Sequence, residues 1–211
     1  MALNSSEIPC RALSLASLGT LSQGILLKRF LLDEKSPDGD FFRIIQLSDM
    51  DSLLLPVAEL EGSRLRLSPM DDQVLLPGDV LISVRGMVQK AAVFTGADFP
   101  VLASHNVAVF RHFPHLSTGF RLQPAFLAGL LRSESYEPIL ERLYRKSTGT
   151  RSLSLKQLAK VAVPIPSQEV QSEFVGLFQG FERFALASQR AVEAQREVVE
   201  SGVTILLQEV L

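Results

Sequence analysis

The sequence predicts an α+β protein: a compact, β-rich domain with several helices over residues 1–166, then one long C-terminal coiled-coil helix over 167–211. Three observations carry that division. Short apolar runs bounded by turn residues recur through the first half of the chain. Apolar spacing near 3.6 begins after Pro124. Finally, the apolar run Leu153–Pro166 closes on Pro164-Ile-Pro166, and no proline follows it.

The elements follow in order. Residues 11–24 (RALSLASLGTLSQG) have the look of a short helix or turn ending at Gly24. Residues 33–40 (DEKSPDGD) carry strong turn chemistry, and Phe41–Gln46 then reads as a strand. Residues 56–72 show no clear period. In Leu75–Gly86 a Pro-Gly-Asp turn feeds a buried strand that stops at glycine. Lys90–Thr95 and His105–Phe110 are two further β-rich runs.

Pro124 suits the first position of a helix. Phe126, Leu127, Leu130 and Leu131 give Ala125–Arg132 helical spacing, and Ser135–Lys146 continues as a second helix. A turn at Ser147–Thr150, a helical turn at Leu155–Ala159 and a strand at Val161–Ile165 complete the domain.

Ser167 is a serine N-cap for the last helix. Apolar or small residues there fall at Val170, Phe174, Leu177, Phe181, Phe184, Ser188, Ala191, Gln195, Val198, Gly202 and Ile205. Steps of four and three make a heptad seam. At about 1.5 Å per residue the helix reaches roughly 60 Å. An apolar stripe that outruns its own domain needs a partner to cover it. Glu193, Glu197 and Glu200 fit the opposite, solvated face.

Composition excludes several classes of function. Hydrophobic content of 46% is ample for a core. The lone Cys10 excludes an internal disulfide and a cysteine-rich zinc site, as expected in a reducing cytosol. No run approaches the ~18 apolar residues of a membrane span. The start MALNSSE lacks the pattern of a signal peptide, so a soluble, cytoplasmic protein is expected.

Net charge is −2, but unevenly spread. Residues 1–160 hold 18 basic and 16 acidic residues; 161–211 hold 3 and 7. From Arg142 to Lys160 there are six basic residues and no acid. Such a segment permits an anionic ligand and equally fits a solvated loop.

Catalytic motifs are missing. There is no phosphate-loop or dinucleotide fingerprint, no Gly-x-Ser-x-Gly elbow and no Asn-Pro-Pro-Tyr/Phe amino-methylation signature. His105, His112 and His115 lack the spacing of a helical metal pair. A binding module without catalytic residues, metal or cofactor is expected.

Three stretches converge on one family. GDVLISVRGMVQKAAVF (78–94) resembles the core strand pair of a target recognition domain from Type I restriction–modification specificity subunits. AFLAGLLRSESYEPILERLYRKSTGTRSLSLKQLAKVAVPIPSQEVQSEF (125–174) is similar to that domain's closing half: helix pair, Ser/Thr-Gly turn, Val-Pro-Ile-Pro strand and Gln-containing helix start. RALSLASLGTLSQG with FFRIIQLSDM is similar to its opening. A full specificity subunit has two such domains and two long helices, whereas this chain has room for one of each and resembles a half-subunit.

The resemblance implies binding of double-stranded DNA through the major groove. Arg85, at a strand end before Gly86 in a loop running to Lys90, is the first candidate contact. The basic, hydroxyl-rich turn of Arg145, Lys146, Thr148, Thr150 and Arg151 is the second. Arg43 and Gln46 flank the first strand, and Arg64, Arg66, His105 and Asn106 are further candidates.

Family analogy pairs half-subunits into a homodimer through the helix, here by Val170, Phe174, Leu177, Phe181, Phe184, Ala191, Val198 and Ile205. Two-fold symmetry then implies an interrupted inverted-repeat target. The implied partners are modification (methyltransferase) subunits, which bring S-adenosylmethionine, and possibly the restriction subunit. Two alternatives stay open: a protein-interaction adaptor of the same fold, favoured by the modest net charge, and a nuclease using Asp71, Asp72 or Asp79.

Overall fold

A computed structural model describes residues 10–29, 40–55, 62–65, 71–86, 88–113, 121–147 and 150–210. It divides into two units, Met1–Val175 and Gly176–Leu211.

Residues 11–24 do not form the single helix or turn their leucine spacing predicts. They make strand β1 (Arg11–Ser14), one helical turn α1 (Leu15–Leu18) and strand β2 (Gly19–Gln23). The backbone groups of β1 find partners 150 residues on, in β11 (Ala162–Ile165), with Arg11 opposite Ile165. Tertiary pairing of this kind overrides a short local period. Leu15 and Leu18, fully buried, anchor the turn between the two strands.

Strand β3 (Asp40–Ile45) alternates as a half-buried strand should. Phe42 and Ile44 join a cluster with Ile25, Leu65 and Leu102. Ile45 faces the other way, into the main core. β3 pairs antiparallel with β4 (Gly62–Leu65), inside the stretch without clear period, and parallel with β7 (Val101–Ala103).

The larger sheet holds β2, β8 (Val107–His112), β5 (Val80–Ser83) and β6 (Ala91–Val93) in that order, all antiparallel. All four residues of β5 are buried, as its central place demands. Helix α2 (Pro124–Arg132), with Pro124 at its start, packs on β5 and β6. Leu81, Phe94, Val101, Val107 and Val109 join Ile45, Met50, Leu55 and Leu75 in the main core.

One ion pair is built into this sheet. Asp79, just before β5, is 1% exposed. Arg111 on β8 donates to both its oxygens, at 2.8 and 2.7 Å, and to the carbonyl of Val74 at 2.9 Å. Asp79 also accepts the Leu76 N–H at 2.8 Å. The hydrogen bonding to Asp79 is the main cause holding the Arg111 guanidinium above its ordinary pKa.

The second predicted helix is shorter than Ser135–Lys146: α3 covers Glu137–Glu141 only. Leu143 and Tyr144 close it with bonds back to Leu140 and Glu141, the tight final turn of a helix end. The chain then enters strand β9 (Arg145–Ser147), which pairs with β10 (Thr150–Ser152) as a hairpin. Helix α4 (Leu155–Leu158) follows, capped by Ser154, whose hydroxyl accepts the Gln157 N–H at 3.3 Å.

Helix α5 (Gln168–Val210) starts where Ser167 predicts; the Ser167 hydroxyl accepts the Val170 N–H at 3.4 Å. Its first two turns lie in the first unit. There Phe174 meets Phe126 of α2 edge-on, ring centroids 6.1 Å apart, and Gln171 is fully buried.

In the second unit no described side chain is buried. Leu177, Phe181, Phe184, Val198 and Ile205 of the seam are 58–72% exposed. Val192, Val199 and Val203, also exposed, widen that stripe. No helix among the described residues is long and apolar enough to cross a membrane.

Candidate nucleic-acid interface

Three segments meet at the end of β5. The Val84 N–H donates to the carbonyl of Asn106 at 2.9 Å. The Leu153 N–H donates to the carbonyl of Val84, also at 2.9 Å. Arg85 bridges antiparallel to Ser152, the last residue of β10. Residues 104–107 form the tight turn between β7 and β8, closed by Val107 N–H to Ser104 O at 2.9 Å. Gly86, at φ +117°, takes the chain away from Arg85 in a conformation that favours glycine.

These segments border two cavities of about 520 and 500 Å³ that share Leu26 and His105. Gln23, Arg85, Ser152 and Ser154 line the first; Lys28, Gln46, Ser48 and Asn106 line the second. Among the described residues no aspartate or glutamate lines either one. Gly24 lies in the first cavity because nothing larger fits. A Cβ there would come within 2.2 Å of the Ser104 carbonyl oxygen, which is backbone and cannot move aside. The Gln23 side chain donates to the carbonyl of His105, holding β2 to the turn.

The sequence-predicted contacts occupy different situations. Arg85 is exposed, and its guanidinium has no hydrogen-bond or ion-pair partner among the described residues. His105 and Asn106 stand beside it, half-buried. Gln46 is the N-cap of the turn Leu47–Asp49: its side chain accepts the Asp49 N–H, and an Asp49 carboxylate oxygen accepts the Gln46 N–H at 2.7 Å. Lys90 bonds Asp51 at 2.6 Å and the carbonyl of Leu47 at 2.9 Å. Arg151 pairs with Glu141 at 2.5 Å, fastening the hairpin to α3.

Arg43 lies away from the groove. Its guanidinium sits 5.4 Å from the Phe41 ring centroid and 5.6 Å from that of Phe99, a cation–π arrangement. Arg145, Lys146 and Thr150 fall on the hairpin strands, and Thr148 lies outside the described residues. Arg64 is on β4, and Arg66 lies outside the described residues.

Tyr144 was not anticipated as part of this region. Its hydroxyl donates to the side-chain oxygen of Gln89, tying the start of the hairpin to the β5–β6 connection. Burial is the main cause pushing its phenol pKa up. Among the described residues no group of three or more His, Cys, Asp or Glu is placed to hold a metal ion.

Over about nine-tenths of its length the chain shares its fold with part of the HsdS subunits of Type I restriction–modification systems. The chain is similar to the HsdS subunit from Thermoanaerobacter tengcongensis, with 21% identity over 90% of this chain and 42% of that one, at a TM-score of 0.57. A structure describing complex assembly and conformational transition of the type I R-M system matches with 22% identity over 89% of this chain and 42% of that one, at 0.58. The S subunit from M. genitalium matches with 16% identity over 89% of this chain and 43% of that one, at 0.53. The chain thus spans about two-fifths of the length of the subunits it matches. No family profile and no curated protein matches the sequence.

Proposed function

We propose that this chain is a half-sized DNA-specificity subunit of a Type I restriction–modification system. It binds duplex DNA and directs the methylation or cleavage carried out by partner subunits, and is not itself an enzyme. The observation that carries this reading is the groove bordered by the exposed Arg85, lined by no acid among the described residues, on a fold shared with S subunits over nine-tenths of the chain. Phosphate contacts give DNA affinity, and base-edge contacts give sequence choice.

One recognition unit per chain reads one half-site. Two copies joined along α5 read an interrupted inverted repeat, and the helix, roughly 60 Å long, sets the spacer. The exposed stripe from Leu177 to Ile205 supports that pairing. The methyltransferase subunits supply S-adenosylmethionine, and the assembly works in the cytoplasm. The net charge of −2 favours one competing reading, an adaptor of the same fold that binds protein and not DNA.

A duplex-binding titration over a range of salt separates the two. A DNA reader binds with an affinity that falls as salt rises, and prefers one sequence over random duplex. Absence of duplex binding, both alone and with methyltransferase subunits, would leave the adaptor.

A further inference from the structure

The hairpin of β9 and β10 belongs to neither of the two larger sheets. A two-stranded hairpin is at best marginally stable by itself, so its place depends on what fastens it. Backbone does part of this. Arg85 bridges to Ser152, and the Leu153 N–H donates to the carbonyl of Val84 at 2.9 Å. Residues directly opposite on neighbouring strands share a face. Arg85 and Ser152 do so, and both line the first cavity.

Arg151 precedes Ser152 on β10 and so takes the opposite face. It lines neither cavity. Its guanidinium meets the Glu141 carboxylate of α3 at 2.5 Å instead. Tyr144, between α3 and β9, donates its hydroxyl to Gln89. Gln89 is a firm post, because the next residue is locked to β5. The Lys90 N–H donates to the Ser83 hydroxyl at 2.8 Å, and its carbonyl accepts the Ser83 N–H at 2.9 Å. After burial, the charges acting on the Tyr144 phenol are first those of Arg151 and Glu141, so these side chains form one cluster.

We infer that Arg151 and Tyr144 are positioning residues for DNA recognition. Through Glu141 and Gln89 they hold β10 so that Ser152 stays beside Arg85 in the groove, and Arg151 itself does not touch DNA. The inference rests on the DNA-recognition reading above, and it reverses the contact role that the basic turn suggests for Arg151. Releasing β10 moves Ser152 and the Arg85 backbone bridged to it. Sequence preference then falls, while the phosphate contacts that give salt-dependent affinity stay as they are.

The test compares the full chain and its variants for binding of a selected duplex against random duplex, over a range of salt. Arg151→Ala and Glu141→Ala should each reduce the preference by the same factor, about 2- to 10-fold, and the double variant by no more than either one. The salt slope should not change in any of them. Tyr144→Phe, which removes only the hydroxyl, should also lower the preference at unchanged slope. The exchange Arg151→Glu with Glu141→Arg restores the ion pair and should restore the preference. That rescue separates positioning from simple loss of structure.

A phosphate-contacting Arg151 behaves differently. Arg151→Ala would then cut the salt slope by roughly one unit, Glu141→Ala would tighten binding, and the exchange would rescue nothing. That outcome overturns the inference and leaves DNA recognition in place. A wild type that prefers no duplex overturns the underlying reading, and the positioning roles with it.

Discussion

The side-chain oxygen of Gln171 accepts the backbone N–H of Gln123 at 2.8 Å. Its nitrogen donates to the carbonyls of Arg121 at 2.9 Å and Pro166 at 3.0 Å. One buried glutamine therefore closes the start of α2, the residues before it and the proline hinge. Gln123 answers with its own side chain, which donates to the Ser172 hydroxyl at 2.8 Å. Replacing Gln171 by leucine keeps the bulk and takes this partner from the Gln123 N–H and the Pro166 carbonyl, while the Arg121 carbonyl keeps the Gln168 side chain. About 2–3 kcal/mol of stability should be lost. A fall in the urea midpoint at unchanged slope would register it.

Tyr136 makes the fold sensitive to alkali. Burial raises its phenol from an ordinary 10 to about 12, and its hydroxyl donates to the carbonyl of Ala162 in β11. The folded state holds that proton more tightly than the unfolded state. The resulting stability is complete below about pH 10 and is lost as pH rises toward about 12. Tyr136→Phe should flatten the decline of the melting temperature across that window. An unchanged slope would remove Tyr136 from the account of alkaline unfolding.

Asp79→Ala strands the Arg111 guanidinium and the Leu76 N–H together. Breaking one side of a fully buried pair costs about 3–5 kcal/mol. Arg111 is 31% exposed, so water recovers part of that, and about 2–3 kcal/mol is expected. If Asp79→Ala in a chain already carrying Arg111→Met costs as much as in the wild type, the two residues are not coupled.

The helix seam is tested by charge. Phe181 and Phe184 are 72% and 71% exposed in the single chain, so changing both to glutamate removes no packing from the compact unit. The wild type should scatter light as a dimer and the double variant as a monomer, with the same melting temperature for the compact unit. A wild-type monomer would sink the pairing of half-subunits.

Much of the architecture can be read from the sequence because its signals are local. Pro124 starts α2, Ser154 caps α4, and Ser167 opens α5. Elements that depend on distant partners are the ones misread. The leucines of 11–24 have helical spacing, but β11 claims the backbone of Arg11–Ser14. β7, at Val101–Ala103, is three residues long and buried throughout, too short to show alternation.

The site divides in the same way. Arg85 is legible as a strand-end arginine before a glycine. The bond of its neighbour Val84 to the 104–107 turn follows from the β5–β8 register, which no local signal encodes. Lys90 and Gln46 read as free polar groups until the fold brings Asp51 and Asp49 to them.

Strands β1 and β11 lie side by side, Arg11 opposite Ile165. The segment from β1 to β11 therefore begins and ends at one edge. A segment whose two ends are hydrogen-bonded neighbours is transplantable: it can be excised, spliced into another backbone or circularly permuted without a spanning linker. Exchanging this cassette would replace the groove that Arg85 borders and leave the rest of α5 as the host supplies it. On the DNA-recognition reading proposed above, one recombination event then suffices to change the preferred duplex, with no residue of the helical seam altered.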